Sequence, residues 1–261
     1  MPISLPLVTL EQFILFILVM GRMGGIFFVI PLFGGKVVPM RIKAAVVLAM
    51  TLLLFPMLAG RSSQLPGDLP SLFIIVLSEL LIGLALGLLA NVVFAAVEFC
   101  GQLLGMQIGF GMATIFDPTF QTQQTPVSGF QNLLAMLIFL SFGIHHFFLS
   151  ALVESYHSIP IGGGRLNGEL VSFVISSTAG VFTLAVKLAA PVMAALMASS
   201  IVLGIMARSF PQMNVFMLSM PMNIGIGLII LGLSLPVFIS GVESAFATTL
   251  QQLKAAFKLL S

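Results

Sequence analysis

Four ionisable side chains sit inside otherwise apolar sequence: Arg22, Glu79, Glu98 and Lys187. A charge at the centre of a bilayer costs on the order of 3 kcal/mol, so such groups face a bundle interior or a water-filled path, or snorkel to an interface. Glu79 and Lys187 are expected to be buried in protein. For Arg22 and Glu98 both placements stay open. An Arg–Glu pairing would lower the cost, and the sequence leaves open which pairs form.

Two histidine-bearing stretches invite a metal reading, His145-His146 and the run Glu154-Ser155-Tyr156-His157. Adjacent histidines diverge by about 100° on a helix, so both cannot face one ion without distortion. Glu-x-x-His resembles half of a di-metal bundle site, but the second copy and its partner Glu are missing. Ser199-Ser200 has neither a Gly-x-Ser-x-Gly context nor a triad partner. Walker, Rossmann and His-Glu-x-x-His motifs do not occur. Cys100 is the single cysteine, which excludes an internal disulfide and thiolate metal clusters. These residues point to no enzyme, no metal and no cofactor. A net charge of +2, without a basic run interleaved with aromatics, gives no footprint for nucleic acid.

The elements that must carry these groups are set by composition. Of 261 residues, 59% are hydrophobic and 7% are charged, whereas soluble domains carry roughly 25% charged residues. There is too little charge to make a wetted surface, so the fold class is an all-α, polytopic helical membrane protein. A transmembrane barrel would alternate in segments of about ten residues; these apolar runs are continuous and longer. The amino-terminal stretch has no Lys or Arg before its apolar run and carries Glu11, a poor secretory signal, so its first apolar segment is expected to be retained. Tyr156 is the only tyrosine and tryptophan is missing beside 24 Phe. Without the usual interfacial belt, much of the perimeter is open to cover by other subunits.

Apolar segments fall at residues 9–33, 44–60, 71–101, 127–153, 170–206 and 215–241, giving six or seven hydrophobic pieces and no convincing internal repeat. Residues 170–206 contain Lys187 and Pro191 and read as one kinked helix or two pieces. Gly83 and Gly87 form a small-xxx-small pair. Residues 243–261 differ in kind: Phe246, Leu250, Leu253, Phe257 and Leu260 lie opposite Gln251, Lys254 and Lys258, an amphipathic carboxy-terminal helix. Arg22, Lys36, Arg41 and Lys43 form the densest positive cluster, which puts the first connector in the cytoplasm. Six crossings would then place Lys254 and Lys258 on the opposite side, so the positive-inside count contradicts itself.

The organising stretch is residues 101–132. Gly101, Gly105 and Gly109 fall four apart, share a helix face and invite close backbone approach. A flexible Gly109-Phe110-Gly111-Met112 run then leads into a polar loop with Asp117-Pro118, Gln121, Gln123 and Gln124. Irregular backbone at membrane depth is tolerated where protein buries it or water lines it, so this loop either faces a conduit or is an ordinary turn between spans. The methionines, 16 in all, serve as a deformable seal or as packing filler.

Several stretches together resemble one family, the FliR/SctT membrane subunits of the type III export gate. They are Arg22-Met23-Gly24-Gly25-Ile26, Pro31-Leu32-Phe33-Gly34 and Val38-Pro39-Met40-Arg41, then Gly109 to Pro118, then Ala190-Pro191. The run from Leu203 through Arg208, Pro211, Gln212 and Asn214 to Phe216, with Pro221 behind it, completes the set. Their order and spacing cover nearly the whole chain, and Pro-Gln-Met-Asn-Val-Phe favours the flagellar branch. The resemblance implies a FliP-like part followed by a FliQ-like part built of helical hairpins, within an export-gate region at residues 1–242. It implies assembly with FliP and FliQ, FlhB nearby, unfolded export substrates, and a place in the flagellar basal body at the bacterial inner membrane. A central plug loop at about residues 105–126 follows from it, with the plug role falling to Phe110, Met112, Ile115, Phe116, Asp117 and Pro118. Arg208 joins Arg22, Glu79, Glu98 and Lys187 among groups expected to serve burial or packing. Alternatives are a virulence-system homologue, or a self-contained secondary transporter using Glu79, Glu98 and Lys187 for coupling.

Overall fold

A computed structural model describes residues 9–30, 39–58, 68–110, 125–164, 167–210, 212 and 214–260. Among them every regular element is helical: α1 (Leu10–Val29), α2 (Met40–Leu58), α3 (Leu69–Ile108), α4 (Pro126–Ser141), α5 (Ile144–Ser158), α6 (Gly168–Ser209) and α7 (Val215–Leu260). Five helices are long and apolar enough to cross a membrane, or six if α4 and α5 together count as one broken span.

The helix starts are written in the sequence. Thr9 caps α1 through a capping box, its hydroxyl accepting from the Gln12 N–H at 3.3 Å while Gln12 Oε1 accepts from the Thr9 N–H at 3.1 Å. Asp68 opens α3, accepting from the Ser71 N–H and hydroxyl; these bonds hold its carboxyl below the usual range. Asn167 and Asn214 serve α6 and α7 in the same way. Prolines do not end the long helices: Pro191 lies inside α6, and Pro221 and Pro236 inside α7. Residues 170–206 therefore form one helix rather than two pieces. The carboxy-terminal stretch from Glu243 onward continues α7 without a break. Leu253, Phe257 and Leu260 are buried along it, while Gln251, Lys254 and Lys258 are exposed.

The apolar run 127–153, continuous in sequence, is broken in space. Gly143 takes φ +65 between α4 and α5, and the two helices bend by 68°. A left-handed residue stops the helix at little cost only where it is glycine.

The described residues fall into two compact units. The first comprises those of Met1–Asn91, His145–Thr178 and Thr249–Ser261. Its core joins Leu18, Val19 and Met23 of α1, Ile82 and Leu89 of α3, Leu152 and Tyr156 of α5, and Leu253, Phe257 and Leu260 of α7. Here α1 and α3 run parallel, because contacts ascend together along both chains. A Cβ at Gly25 would meet Leu80 O at 2.6 Å, a Cβ at Gly83 would strike the Arg22 carbonyl, and one at Gly87 would meet Ile26 O at 3.0 Å. The Gly83/Gly87 pair thus admits the backbone of α1.

The second unit comprises the described residues of Val92–Ile144 and Ala179–Thr248. Phe94, Phe139 and Phe246 close a triangle of rings with centroids 5.3 to 5.5 Å apart, joining α3, α4 and α7. Within this unit α6 and α7 pair antiparallel, with Leu188 against Gly241 and the Ser199 hydroxyl donating to Asn223 Oδ1 at 3.1 Å.

Two glycine substitutions separate close packing from ordinary helix propensity. Gly83→Ala overlaps a backbone carbonyl and should destabilise the chain by about 1–3 kcal/mol. Gly24→Ala meets nothing within 4 Å and should be neutral or stabilising by about 0.5–1 kcal/mol. Thermal melting in detergent, followed by helical circular dichroism, measures both.

Candidate functional site

Two polar constellations stand out against the apolar background, one in each unit. The first is centred on Arg22, which has no exposed surface. Its Nε donates to Glu79 Oε2 at 2.5 Å and its Nη2 to Glu79 Oε1 at 3.0 Å, a bidentate fork. Nη1 donates to Ile159 O at 3.0 Å and Ser155 O at 3.3 Å. These carbonyls belong to the last turn of α5 and the residue after it, and Ser155 O accepts from the Ile159 N–H at 2.8 Å as well. A cation at that end also meets the negative pole of the helix. Glu79, equally buried, accepts a third bond from the Gly162 N–H at 2.8 Å. Tyr156 completes the enclosure: its ring lies 4.5 Å from the guanidinium carbon and its hydroxyl donates to Val19 O at 3.2 Å. The arrangement gives each nitrogen of Arg22 and each carboxylate oxygen of Glu79 a partner and fastens α1, α3, α5 and the turn after α5. It offers no open position to a substrate.

The second constellation is the stem of the central segment. α3 ends in a Schellman motif: Gly109 takes φ +109, its N–H donates to Met106 O at 3.2 Å, and the Phe110 N–H donates to Gly105 O at 2.9 Å. The chain is next described at Thr125, the cap of α4, whose hydroxyl accepts from the Ser128 N–H at 3.2 Å and donates to Gly101 O at 3.2 Å. The Ser128 hydroxyl donates to Glu98 O at 3.3 Å. A Cβ at Gly105 would collide with the Thr125 side chain, and one at Gly101 with Ser128. Phe110 and Thr125 therefore both lie against the same turn of α3, around Gly105.

The other sequence candidates are dispersed. Gly101 and Gly105 share the packing face, whereas Gly109 serves the chain reversal and a Cβ there would meet nothing within 4 Å. Glu98 is half-buried in α3. Phe110 is half-buried, while Met112, Ile115, Phe116, Asp117 and Pro118 lie outside the described residues. Arg208 is exposed in the last turn of α6. Lys187, expected to be buried in protein, is exposed near the middle of α6 in the chain by itself. His145 and His146 have ring centroids 4.0 Å apart. Among the described residues no group of three or more His, Cys, Asp or Glu could hold a metal ion. The hydroxyls of Thr125 and Ser128 and the carbonyls that receive Arg22 had not been singled out in the sequence. Thr125-Pro126 does carry the cap-then-proline signature of a helix start, but nothing local marks its neighbour on α3.

Both constellations can be tested by substitution. Arg22→Met leaves Glu79 buried without its counter-ion and should cost about 3–5 kcal/mol; Glu79→Gln, which can still accept from Gly162, should cost less. Thr125→Val removes a cap and should cost about 1 kcal/mol, with Thr125→Ser close to the parent protein. Melting temperatures of the purified chain rank all four.

Comparison with known proteins covers most of the chain. Residues 13–249 match the family described as bacterial export proteins, family 1. The flagellar biosynthetic protein FliR of Bacillus subtilis is 29% identical over 254 residues, covering 96% of this chain and 97% of that protein. FliR of Pectobacterium carotovorum is 31% identical, covering 83% and 82%. FliR of Aquifex aeolicus is 33% identical, covering 88% of each chain.

Proposed function

This chain belongs to the bacterial export proteins, family 1, the family of FliR, and from that premise we propose that it helps form and plug the channel through which unfolded flagellar proteins are exported. As a FliR homologue it is a membrane component of the flagellar export apparatus, with partners in that apparatus and no catalysis of its own. In the proposal those partners are FliP and FliQ, with FlhB adjacent, in the basal body at the inner membrane. The chain contributes a FliP-like part followed by a FliQ-like part.

The observation that carries the plug reading is the closed stem. Phe110 and Thr125, the described neighbours of residues 111–124, meet at one turn of α3, the Phe110 N–H on Gly105 O and Thr125 against Gly101 and Gly105. A segment anchored in this way can change its own conformation while α3 and α4 stay together. Its sequence, with Met112, Ile115 and Phe116 before Asp117-Pro118, suits a soft apolar constriction. An export channel must pass an extended polypeptide and hold back ions, which apolar narrowing does better than a fixed ring of carbonyls or charges. Phe110 at the stem, together with Met112, Ile115, Phe116, Asp117 and Pro118, is assigned to that constriction.

Replacing residues 111–124 by a short Gly-Ser bridge, with the stem left intact, tests the plug. Expected is assembly with the other gate subunits at parental ratios and a rise of about tenfold or more in ion leak through the assembled gate in cells. Unchanged leak from a gate that assembles normally would overturn the plug, and a chain that purifies without other membrane subunits would overturn the gate assignment itself.

A further inference from the structure

α5 carries a polar face. His146, Ser150, Glu154 and His157 fall within about 80° of arc at 3.6 residues per turn, and all four are exposed. No apolar residue of α5 falls inside that arc. The opposite side of the helix is buried, with Ala151, Leu152 and Tyr156 in the core of the first unit. Beyond α5 the exposure continues through Pro160, Gly162 and Gly163, whereas Ile159 and Ile161 are buried.

α1 fixes the height of this surface. Its 20 residues cover about 30 Å at 1.5 Å per residue, the thickness of a bilayer's hydrocarbon core. Arg22 lies about 18 Å from the start of that rise and about 10 Å from its end. The guanidinium donates to Ser155 O and Ile159 O, and its partner Glu79 accepts from the Gly162 N–H. The last turn of α5 and residues 159–163 therefore sit well inside the span of α1. A Cβ at Gly162 would meet Ile75 and one at Gly164 would meet Ile82, which sets the turn against the same stretch of α3 that holds Glu79.

Lipid does not suit this surface. A carboxylate in hydrocarbon costs on the order of 3 kcal/mol, and among the described residues the Glu154 carboxylate has neither an ion pair nor a hydrogen bond. Gly162 and Gly163 expose backbone with no side chain to cover it. Irregular backbone at membrane depth persists where protein buries it or water lines it. We propose that water reaches this surface: the first unit carries an aqueous recess within the span of α1, in which Glu154, His157 and the backbone of residues 160–163 are solvated. The recess belongs to the first unit, whereas the Gly101–Thr125 stem belongs to the second, so this inference and the plug stand or fall separately.

The test reads thiol labelling by a membrane-impermeant maleimide, applied from each side to the full chain in its native membranes. Cysteine replaces Glu154 and Gly163 in turn. Met20 on α1 and Leu81 on α3, exposed apolar residues close to the heights of Arg22 and Glu79, receive cysteine as controls. The parent chain is the blank, its Cys100 being buried. Removal from water suppresses the reactive thiolate by about two pKa units or more, so Glu154→Cys and Gly163→Cys should label about a hundredfold faster than Met20→Cys and Leu81→Cys. Ser150→Cys, on the same face of α5, repeats the reading if either substitution lowers the yield of folded chain. Equally rapid labelling at the test and control positions would place this height outside the hydrocarbon and overturn the recess. Silence at 154 and 163 in native membranes would overturn it too: reactivity gained on mild-detergent extraction would then identify a partner subunit or lipid as the cover.

Discussion

A guanidinium with no contact with water must have its donors met by the protein, and Arg22 meets that demand by joining three helices. Glu79 supplies two bonds and the end of α5 supplies two more. The close approach that makes this possible comes from the residue one turn further along α3. Gly83 lies against the Arg22 carbonyl, so α1 and α3 run near enough for the short Glu79 side chain to reach across. A side chain at position 83 would press on the Arg22 carbonyl and loosen the fit between the two helices. Packing and pairing are therefore one constraint, and neither would hold without the other.

The second unit is fastened with neutral groups. Hydroxyls of Thr125 and Ser128 at the start of α4 reach carbonyls of Gly101 and Glu98 on α3, and glycines again let the backbones meet. Such bonds carry no desolvated charge, so they cost less to form and less to break than the Arg22–Glu79 fork. A rigid ionic knot in one unit and a neutral, hydroxyl-held stem in the other suit different tasks. The first holds an arrangement of helices, and the second joins the end of α3 to the start of α4. α3, α6 and α7, with 40, 42 and 46 residues, run about 60–69 Å at 1.5 Å per residue, twice the thickness of hydrocarbon.

Much of this was legible residue by residue. Gly83 and Gly87 announced a close contact through their spacing, and Gly101 and Gly105 did the same. Gly109 shares that spacing, yet it ends α3 with a positive φ, because periodicity says which face a residue occupies only while the helix continues. Gly143 was hidden within an apolar run, since glycine in such a run reads equally as packing or as a stop. The pairing of Arg22 with Glu79 could not be read from a separation of 57 residues. Lys187 carried the signal of a costly charge, but the chain's own fold leaves it on an open face.

The sequence by itself determined the solvent, the helical class and the family. A chain with 7% charged residues cannot wet its surface, backbone in lipid must bond within its own segment, and helices satisfy that locally. The order of short motifs was enough to indicate the relatives. Only the tertiary structure decided which charges pair, where the long apolar run breaks, and that Phe110 and Thr125 meet at one turn of α3. Those outcomes depend on which distant segments share a neighbourhood. Periodicity is blind to that, because it reports the face a side chain occupies and never what lies across from it.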